Sequence, residues 1–229
     1  MALVDAHTHL ELLALKSIPF EKLSSVEELV SLLKGIGDEY ILAWGWEEKR
    51  LGRAPTREDL DTIDRPVLLL RMDAHTGVAN RRLIEEFGLD GNELLDSEKG
   101  FLYEGFLWSV VDRMKPKGES MREALRRAVF TARGFGIEEV HDYVDEELAE
   151  LYLSLEEELP LRVVLMPYHE HYRGVVDLLK ERLSLGWVKV FVDGSVSART
   201  AYLKEPYEDR KDSRGLLLRS AEELTSMLK

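Results

Sequence analysis

The sequence predicts an α/β fold built on a parallel sheet, and two observations support this prediction. From residue 120 onward, short strand-like segments alternate with amphipathic segments of helical period. Such alternation is typical of parallel strands joined by right-handed crossovers. The 229 residues are 45% hydrophobic, which is enough for a sizeable core. Four such strands would make about half of a (β/α)8 TIM-like barrel, whose usual length is about 250 residues.

The first half of the chain contains one strand of this sheet and an inserted α/β segment. Residues Leu3 to His9 alternate with period two, and Ser25 with Glu28 forms a capping box ahead of an apolar helical stripe. Three further elements follow: strand Tyr40–Trp46, a short helix capped by Thr56, and strand Pro66–Met72. They indicate an insertion at about residues 38–118 within a single domain that spans residues 1–229.

The second half alternates regularly. Ser120 and Glu123 form a further capping box, and Gly134 ends that helix. The elements that follow are strand Glu138–Tyr143, helix Glu146–Glu158, strand Leu161–Pro167, helix Val175–Ser184 and strand Val188–Asp193. The valines of the last strand share one face, which we expect to pack under the helices. Lys189 and Asp193 then face the barrel interior.

Composition excludes several classes of partner. The formal net charge of −13 disfavours nucleic acid and anionic membranes. The chain contains no cysteine, so disulfides and thiolate metal ligands are excluded. The first 20 residues lack the pattern of a signal peptide, and we expect a cytoplasmic protein. Glutamine is absent and asparagine occurs only at 80 and 92, a bias expected of a thermophile.

The strongest chemical signal is the segment Asp5-Ala6-His7-Thr8-His9. Two histidines two residues apart on a strand point to the same side and can share one ion, for which zinc and other divalent metals are suited. Asp5 lies on the same face and could orient a ligand. By spacing alone, an ordinary pair of surface or core histidines explains the pattern equally well.

The second signal is Lys189 within an otherwise apolar strand. A buried ammonium normally becomes neutral, pairs with a carboxylate or is modified. A lysine paired with a carboxylate inside the barrel is the simpler explanation from the residues alone.

Other histidines and aromatics are weaker candidates. His169 and His171 repeat the two-residue spacing, but their surroundings indicate a surface loop. His75 and His141 are single histidines at strand ends, where hydrogen-bonded structural roles are common. Trp44-Gly45-Trp46-Glu47 indicates core packing or, alternatively, the wall of a substrate pocket.

Taken together, these segments resemble the amidohydrolase superfamily of metal-dependent hydrolases, in particular the branch that includes N-substituted formamide deformylase. The resemblance runs through nearly the whole chain and is carried by Asp5–Leu10, Trp44–Trp46 with Pro55–Asp61, Arg65–Asn80, and most specifically Val188–Ser195 with Arg199–Ala201 and Glu205–Tyr207.

The resemblance implies a distorted barrel of amidohydrolase type with one or two divalent ions, zinc by preference. His7 and His9 would bind one ion, and Lys189, carboxylated by carbon dioxide, would be a catalytic group that bridges two ions. A metal-activated hydroxide would then attack the carbonyl carbon of a non-peptide, amide-type carbon–nitrogen bond. We expect Asp5 and Asp193 to lie beside these ligands and to orient them. We expect Trp46 and His75 to contact a small-molecule substrate.

In the family, two further histidine ligands and an aspartate follow the fourth strand, whereas this sequence ends at Lys229. We therefore expect the N-terminal half of a hydrolase. One alternative is a non-catalytic half-barrel, completed by a missing C-terminal half or by a second copy of itself, because unpaired strand edges favour self-association. Another is a truncation with no function of its own.

Overall fold

The computed structural model describes residues 2–15, 18–179 and 183–227, which form two compact units. The first unit combines Met1–Leu15 with Pro116–Val190, and the second combines Lys16–Lys115 with Phe191–Lys229. Each unit therefore contains segments that are distant in sequence.

Strands and helices are numbered in chain order over the described residues. The strands are β1 (Leu3–Thr8), β2 (Ile41–Trp46), β3 (Val67–Arg71), β4 (Thr76–Ala79), β5 (Leu95–Asp96), β6 (Phe101–Tyr103), β7 (Ile137–Val144), β8 (Arg162–Pro167) and β9 (Ser184–Leu185). The α-helices are α1 (Leu10–Ala14), α2 (Val26–Lys34), α3 (Glu48–Leu51), α4 (Arg57–Leu60), α5 (Arg81–Phe87), α6 (Glu104–Met114), α7 (Gly118–Gly134), α8 (Glu146–Leu155), α9 (Tyr172–Leu179) and α10 (Ala221–Met227).

The first unit is built on a four-stranded sheet in the order β1-β7-β8-β9, and every neighbouring pair is parallel. Apolar residues of the strands and of α7, α8 and α9 form one buried core, which includes Leu125, Val129, Val140, Val144, Leu148, Leu165 and Val175. The predicted α/β class with a parallel sheet is thus confirmed. The strands of the described residues form two open sheets and not a closed barrel.

Most predicted boundaries in this unit are within a few residues of the observed ones. Helix α7 ends at Gly134 as predicted, but it begins at Gly118 with Lys117 at its N-cap, so the capping box assigned to Ser120 is wrong. The helix predicted over Val175–Ser184 is α9, which the structure describes to Leu179. Residues 180–182 of that prediction lie outside the described residues, and its end at Ser184 is wrong because Ser184 belongs to β9.

The predicted fourth strand, Val188–Asp193, is wrong. The fourth strand of the sheet is β9, which lies before that segment, and Lys189 forms an isolated parallel bridge with Tyr168. The reason is that β8 ends at Pro167, so the chain beyond Lys189 has no continuing strand beside it. Val188 and Val192 are 40% and 39% exposed, so the predicted cover of helices over the valine face is also wrong.

The second unit contains a five-stranded sheet in the order β2-β3-β4-β6-β5. Strands β2 and β3 are parallel, and the other pairs are antiparallel. Its core includes Phe20, Leu29, Leu33, Ala43, Trp46, Leu60, Val67, Leu69 and Val78.

Two predicted caps of this unit can be compared with the structure. At α4, Thr56 and Asp59 form a reciprocal capping box. At α2, the Ser25 hydroxyl accepts the predicted bond from the Glu28 N–H, whereas the Glu28 carboxylate bonds Ser24.

Candidate active site

The candidate site of the first unit lies where its parallel strands end. Thr8 of β1 is paired with Asp142 of β7, and Tyr143 is paired with Met166 of β8. Parallel strands bring their carboxyl ends to one edge of the sheet, and α/β proteins place their binding sites along that edge. The side chains that follow these strand ends are therefore the ones that can converge.

His7 and His9 approach each other at this edge. Pairing between β1 and β7 is irregular from Asp5 to Thr8, and His9 lies just beyond the strand as the N-cap of α1. The two imidazole centroids are 5.4 Å apart in an edge-to-face arrangement. Two imidazoles on one tetrahedral zinc, with bonds of about 2.0–2.1 Å, place their centroids roughly 5 Å apart. The separation of the rings thus fits a shared ion.

Tyr143 lies at the centre of this group, although it was not among the predicted site residues. Its ring centroid is 4.7 Å from that of His7 and 5.1 Å from that of His9. The Lys189 ammonium nitrogen lies 5.2 Å from the same ring centroid. Burial raises the pKa of the Tyr143 hydroxyl. The structure therefore brings His7, His9 and Lys189 together around one aromatic ring.

The backbone of Lys189 is held beside the end of β8. Its N–H donates to the Pro167 carbonyl at 2.9 Å, and its own carbonyl accepts from the His169 N–H at 2.8 Å. These two bonds fix the position of Lys189 along the sheet edge, even though the surrounding segment is not a continuous strand. Its side chain is partly buried.

Asp142 anchors the turn that carries the histidine pair. Its side chain is fully buried and accepts hydrogen bonds from the Thr8 hydroxyl at 2.7 Å, the Leu10 N–H at 2.9 Å and the Tyr152 hydroxyl at 2.7 Å. Burial raises the pKa of Asp142, and these hydrogen bonds oppose that effect. Because Thr8 and Leu10 flank His9, this carboxyl group fixes where His9 leaves the sheet.

The two aspartates predicted to support the ligands have different surroundings. Asp5 accepts a hydrogen bond from the His7 backbone N–H at 3.3 Å, in the same unit as the histidine pair. Asp193 belongs to the second unit, where its carboxylate accepts from the Tyr202 N–H at 2.9 Å.

The two residues predicted to contact substrate also belong to the second unit. Trp46 is 1% exposed, and its indole N–H donates to the Leu69 carbonyl at 2.9 Å. That placement matches the core-packing interpretation of the Trp44–Glu47 segment. His75 lies in the turn between β3 and β4, and its Nδ1 is 2.8 Å from the Glu104 carboxylate.

The second pair of histidines lies in the connection between β8 and α9, where His169–His171 forms a short 3-10 turn. The His171 Nδ1 pairs with the Glu146 carboxylate. Over residues 2–15, 18–179 and 183–227, no group of three or more histidine and carboxylate side chains gathers closely enough to hold an ion. His7 and His9 could supply two ligands, and an ion held between them would need others.

The fold and these residues define a class of protein, the α/β proteins with imidazoles converging at the carboxyl ends of parallel strands. Within that class the chain belongs to the amidohydrolase family, whose family model matches residues 2–229. The family implies a divalent metal and supports a hydrolytic function.

Known relatives agree with this assignment. A crystal structure of a metal-dependent hydrolase from Pyrococcus horikoshii OT3 is 30% identical with a TM-score of 0.69, covering 99% of this chain and 50% of that chain. A metal-dependent hydrolase from Pyrococcus furiosus is also 30% identical, with a TM-score of 0.66, covering 99% and 51%. The Bacillus subtilis (strain 168) protein named "Putative amidohydrolase YtcJ" is 24% identical over 261 residues, covering 99% of this chain and 49% of that protein.

The chain spans about half the length of the curated relatives it matches. Within the part of the chain that the structure describes, no helix combines the length and apolar character needed to cross a membrane.

Proposed function

We propose that this chain carries part of the active site of a metal-dependent hydrolase that acts on non-peptide, amide-type carbon–nitrogen bonds of a small molecule. His7 and His9 would hold a divalent ion, zinc by preference, and Lys189 would join the site as a carboxylated, bridging ligand. The remaining ligands would come from the second half of a (β/α)8 barrel. The whole enzyme would belong to the branch that includes N-substituted formamide deformylase.

The observation that carries this proposal is the 5.4 Å separation of the His7 and His9 rings at the carboxyl end of a parallel sheet. Each of the two imidazoles, when neutral, can donate a nitrogen lone pair to one ion that lies between them. The bond from the His7 N–H to Asp5 and the buried bonds of Asp142 hold the backbone on either side of the pair. This support limits the reorganisation needed when an ion binds.

Lys189 is the residue whose role depends most on the proposal. Its ammonium nitrogen lies 5.2 Å from the Tyr143 ring centroid, where a cation is attracted by the aromatic face. Carboxylation would replace this cation by an anionic oxygen ligand. When bound, the ion would supply Lewis-acid activation of water and of the substrate carbonyl group.

Zinc binding to the chain tests the histidine assignment. Because the histidine pair is only part of a ligand set, we expect purified wild-type protein to hold zinc at partial occupancy after dialysis against micromolar metal, as measured by elemental analysis. The double variant His7→Asn with His9→Asn is expected to lose most of it. The matched control is His169→Asn with His171→Asn, which removes the other pair at the same spacing and should bind zinc like the wild type. Zinc that survives loss of the first pair but disappears with the second would contradict the assignment.

A second candidate function is a non-catalytic half-barrel that associates with another copy or with a complementary half. Strands β1 and β9 are the two outer strands of the first sheet. Leu3 and Val4 on β1 are 54% and 52% exposed, and Leu185 on β9 is 40% exposed with Trp187 beyond it 80% exposed. Apolar side chains on outer strands favour pairing with another chain. We propose self-association through these edges.

A further inference from the structure

A tyrosine hydroxyl is buried in the otherwise apolar core beneath α8. The residues that this helix buries are Leu148, Ala149, Tyr152 and Leu155, and among them Tyr152 is the one with a polar side-chain atom. A buried hydroxyl is costly unless a hydrogen bond replaces its hydration. The Tyr152 hydroxyl meets this need by donating to Asp142 Oδ2 at 2.7 Å. The pair therefore connects the helix layer to the sheet.

The other oxygen of the Asp142 carboxylate faces the end of β1. Oδ1 accepts from the Leu10 N–H at 2.9 Å and from the Thr8 hydroxyl at 2.7 Å, and Asp142 itself is 0% exposed. One oxygen is thus held by α8, while the other holds the turn between β1 and α1. His9 is the residue between the two donors of this turn.

His9 occupies a position where a capping residue is usual. It is the N-cap of α1, with φ of −135° and ψ of 72°, and its side chain makes no capping hydrogen bond. The first N–H groups of a helix have no partner within it and are commonly satisfied by nearby side chains. Here the first helical N–H, that of Leu10, donates to Asp142. The imidazole of His9 is therefore not needed to cap the helix.

Two other helices show the usual arrangement. At α8 the N-cap Asp145 accepts from the Leu148 N–H at 2.8 Å, and at α5 the N-cap Asn80 accepts from the Leu83 N–H at 3.0 Å. Each of these acceptors lies three residues before its donor, whereas Asp142 lies 132 positions from Leu10. The start of α1 therefore depends on the sheet and on α8, and not on a cap of its own.

We propose that Asp142 and Tyr152 are positioning residues for His9 as a metal ligand. The Asp142 carboxylate fixes the backbone on both sides of His9, so the imidazole stays beside that of His7, and the Tyr152 hydroxyl fixes the carboxylate. Both residues belong to the first unit, as do the two histidines. The inference rests on the proposed function, because it names the residues that prepare the histidine pair for a divalent ion.

A purely structural role for the same hydrogen bonds would have a different consequence. It predicts that variants lose stability while the molecules that remain folded bind metal as the wild type does. A positioning role predicts that folded variants bind metal more weakly, because His9 then spends less time beside His7 in the conformation that binds. Metal affinity, compared with stability, therefore separates the two roles.

Zinc titration of histidine-labelled protein, followed by the imidazole NMR signals of His7 and His9, measures this affinity. We expect Asp142→Ala to raise the zinc dissociation constant about tenfold or more, and Tyr152→Phe, which removes only the hydroxyl, to raise it about threefold. Asp142→Asn keeps an acceptor for the Leu10 N–H and should restore most of the affinity lost in Asp142→Ala. Equal dissociation constants in the wild type, Asp142→Ala and Tyr152→Phe would overturn the proposal.

Leu148→Ala is the matched control, since Leu148 is 3% exposed, has an apolar side chain and lies on the same buried face of α8. It should destabilise the helix at least as much as Tyr152→Phe but leave the zinc dissociation constant unchanged. Equal weakening by the two variants would overturn the specific role of the hydroxyl. If Asp142→Ala does not fold, Tyr152→Phe and this control decide the question.

A metal-free measurement keeps this inference separate from the proposed function. The His7 and His9 ring centroids are 5.4 Å apart, so we expect nuclear Overhauser effects between the rings in zinc-free wild type and Leu148→Ala. These effects should be weaker in Tyr152→Phe. A wild type that shows them but binds no zinc at the pair would contradict the metal-dependent hydrolase and not the positioning. Ring contacts that are unchanged in folded Tyr152→Phe and Asp142→Ala would overturn the positioning itself.

Discussion

Tyr143 shows how a single side chain can organise a site without being one of its ligands. Its ring contacts both imidazoles and lies under the Lys189 ammonium. The residue lies at the end of β7 and was predicted only as part of a strand, because an aromatic there usually means packing. The signal that could have found it is its place at the carboxyl end of a strand beside the first one.

We expect the ring of Tyr143, and not its hydroxyl group, to support metal binding. Tyr143→Phe should bind zinc within about threefold of the wild type, whereas Tyr143→Leu should weaken binding about tenfold, as loss of supporting groups does at metal sites. Isothermal titration with zinc measures both. Equal affinity in all three proteins would show that the ring does not support the histidines.

Asp142 is expected to be the most sensitive polar residue of the first unit. Asp142→Ala leaves the donors of Thr8, Leu10 and Tyr152 without their acceptor and should lower the free energy of unfolding by on the order of 3 kcal/mol. Asp142→Asn keeps the shape and one acceptor and should lose less. Urea unfolding monitored by circular dichroism measures the difference, and similar stability of the alanine variant would contradict the anchoring role.

Asp142 also makes the free energy of unfolding depend on pH, and the direction of its pKa shift fixes the sign of that dependence. Burial raises the pKa of Asp142 in the folded state above its unfolded value, so folding disfavours the ionised form. The stability that this group contributes is complete below the unfolded pKa of about 3.9 and is lost as the pH rises through the folded value. The free energy of unfolding of the wild type, relative to Asp142→Asn, should therefore fall with increasing pH. The opposite slope would contradict the direction of the shift.

At the scale of elements, hydrophobic periodicity predicted the strands and helices that bury one face against a neighbouring element. Strands β1, β7 and β8 and helix α8 begin and end close to their predicted limits. The segment after Lys189 has the same alternation, but a strand also requires a partner, and β8 ends at Pro167. The alternation of valines contains no information about where the neighbouring strand stops.

The capping box of α4 is expected to contribute a pH-dependent part of the stability. The hydrogen bond from Arg53, followed by those from Thr56, lowers the pKa of Asp59. Its contribution is present above the unfolded pKa and is lost as the pH falls through the lowered folded value. Asp59→Asn should cost about 1 kcal/mol at pH 7, as caps do, and the difference from the wild type should shrink below about pH 4. Glu58→Gln, an exposed neutralisation in the same helix, should have little effect at either pH.

At the scale of the whole molecule, the sequence predicted the α/β class and the family but not the division into two units. The second unit joins Lys16–Lys115 to Phe191–Lys229, so it extends beyond the insertion predicted at 38–118. The contacts that define it, such as Glu104 with Thr200, link residues 96 positions apart. No local pattern reveals such a pairing, which is why the contacts of Glu104 were not predicted.

Self-association through the sheet edges is a prediction about the intact chain. Wild-type protein is expected to show a concentration-dependent dimer in sedimentation velocity, and Trp187→Glu should shift it to monomer because a charge would enter the apolar contact. Val196→Glu is the control, since Val196 is 67% exposed but belongs to the other unit. A monomeric wild type at high concentration, or equal dissociation by both variants, would contradict this interface.

The metal site itself is tested most directly by anomalous diffraction at the zinc edge, from crystals of a protein that carries both halves of the proposed barrel, grown with zinc and bicarbonate. We expect an anomalous peak between His7 and His9, about 2.0–2.1 Å from one nitrogen of each ring. Electron density at Lys189 should show a carboxylated side chain directed toward that peak. An anomalous peak at other residues would contradict the proposed metal-dependent hydrolase site. An unmodified Lys189 directed into solvent, beside a histidine pair without a peak, would contradict it as well.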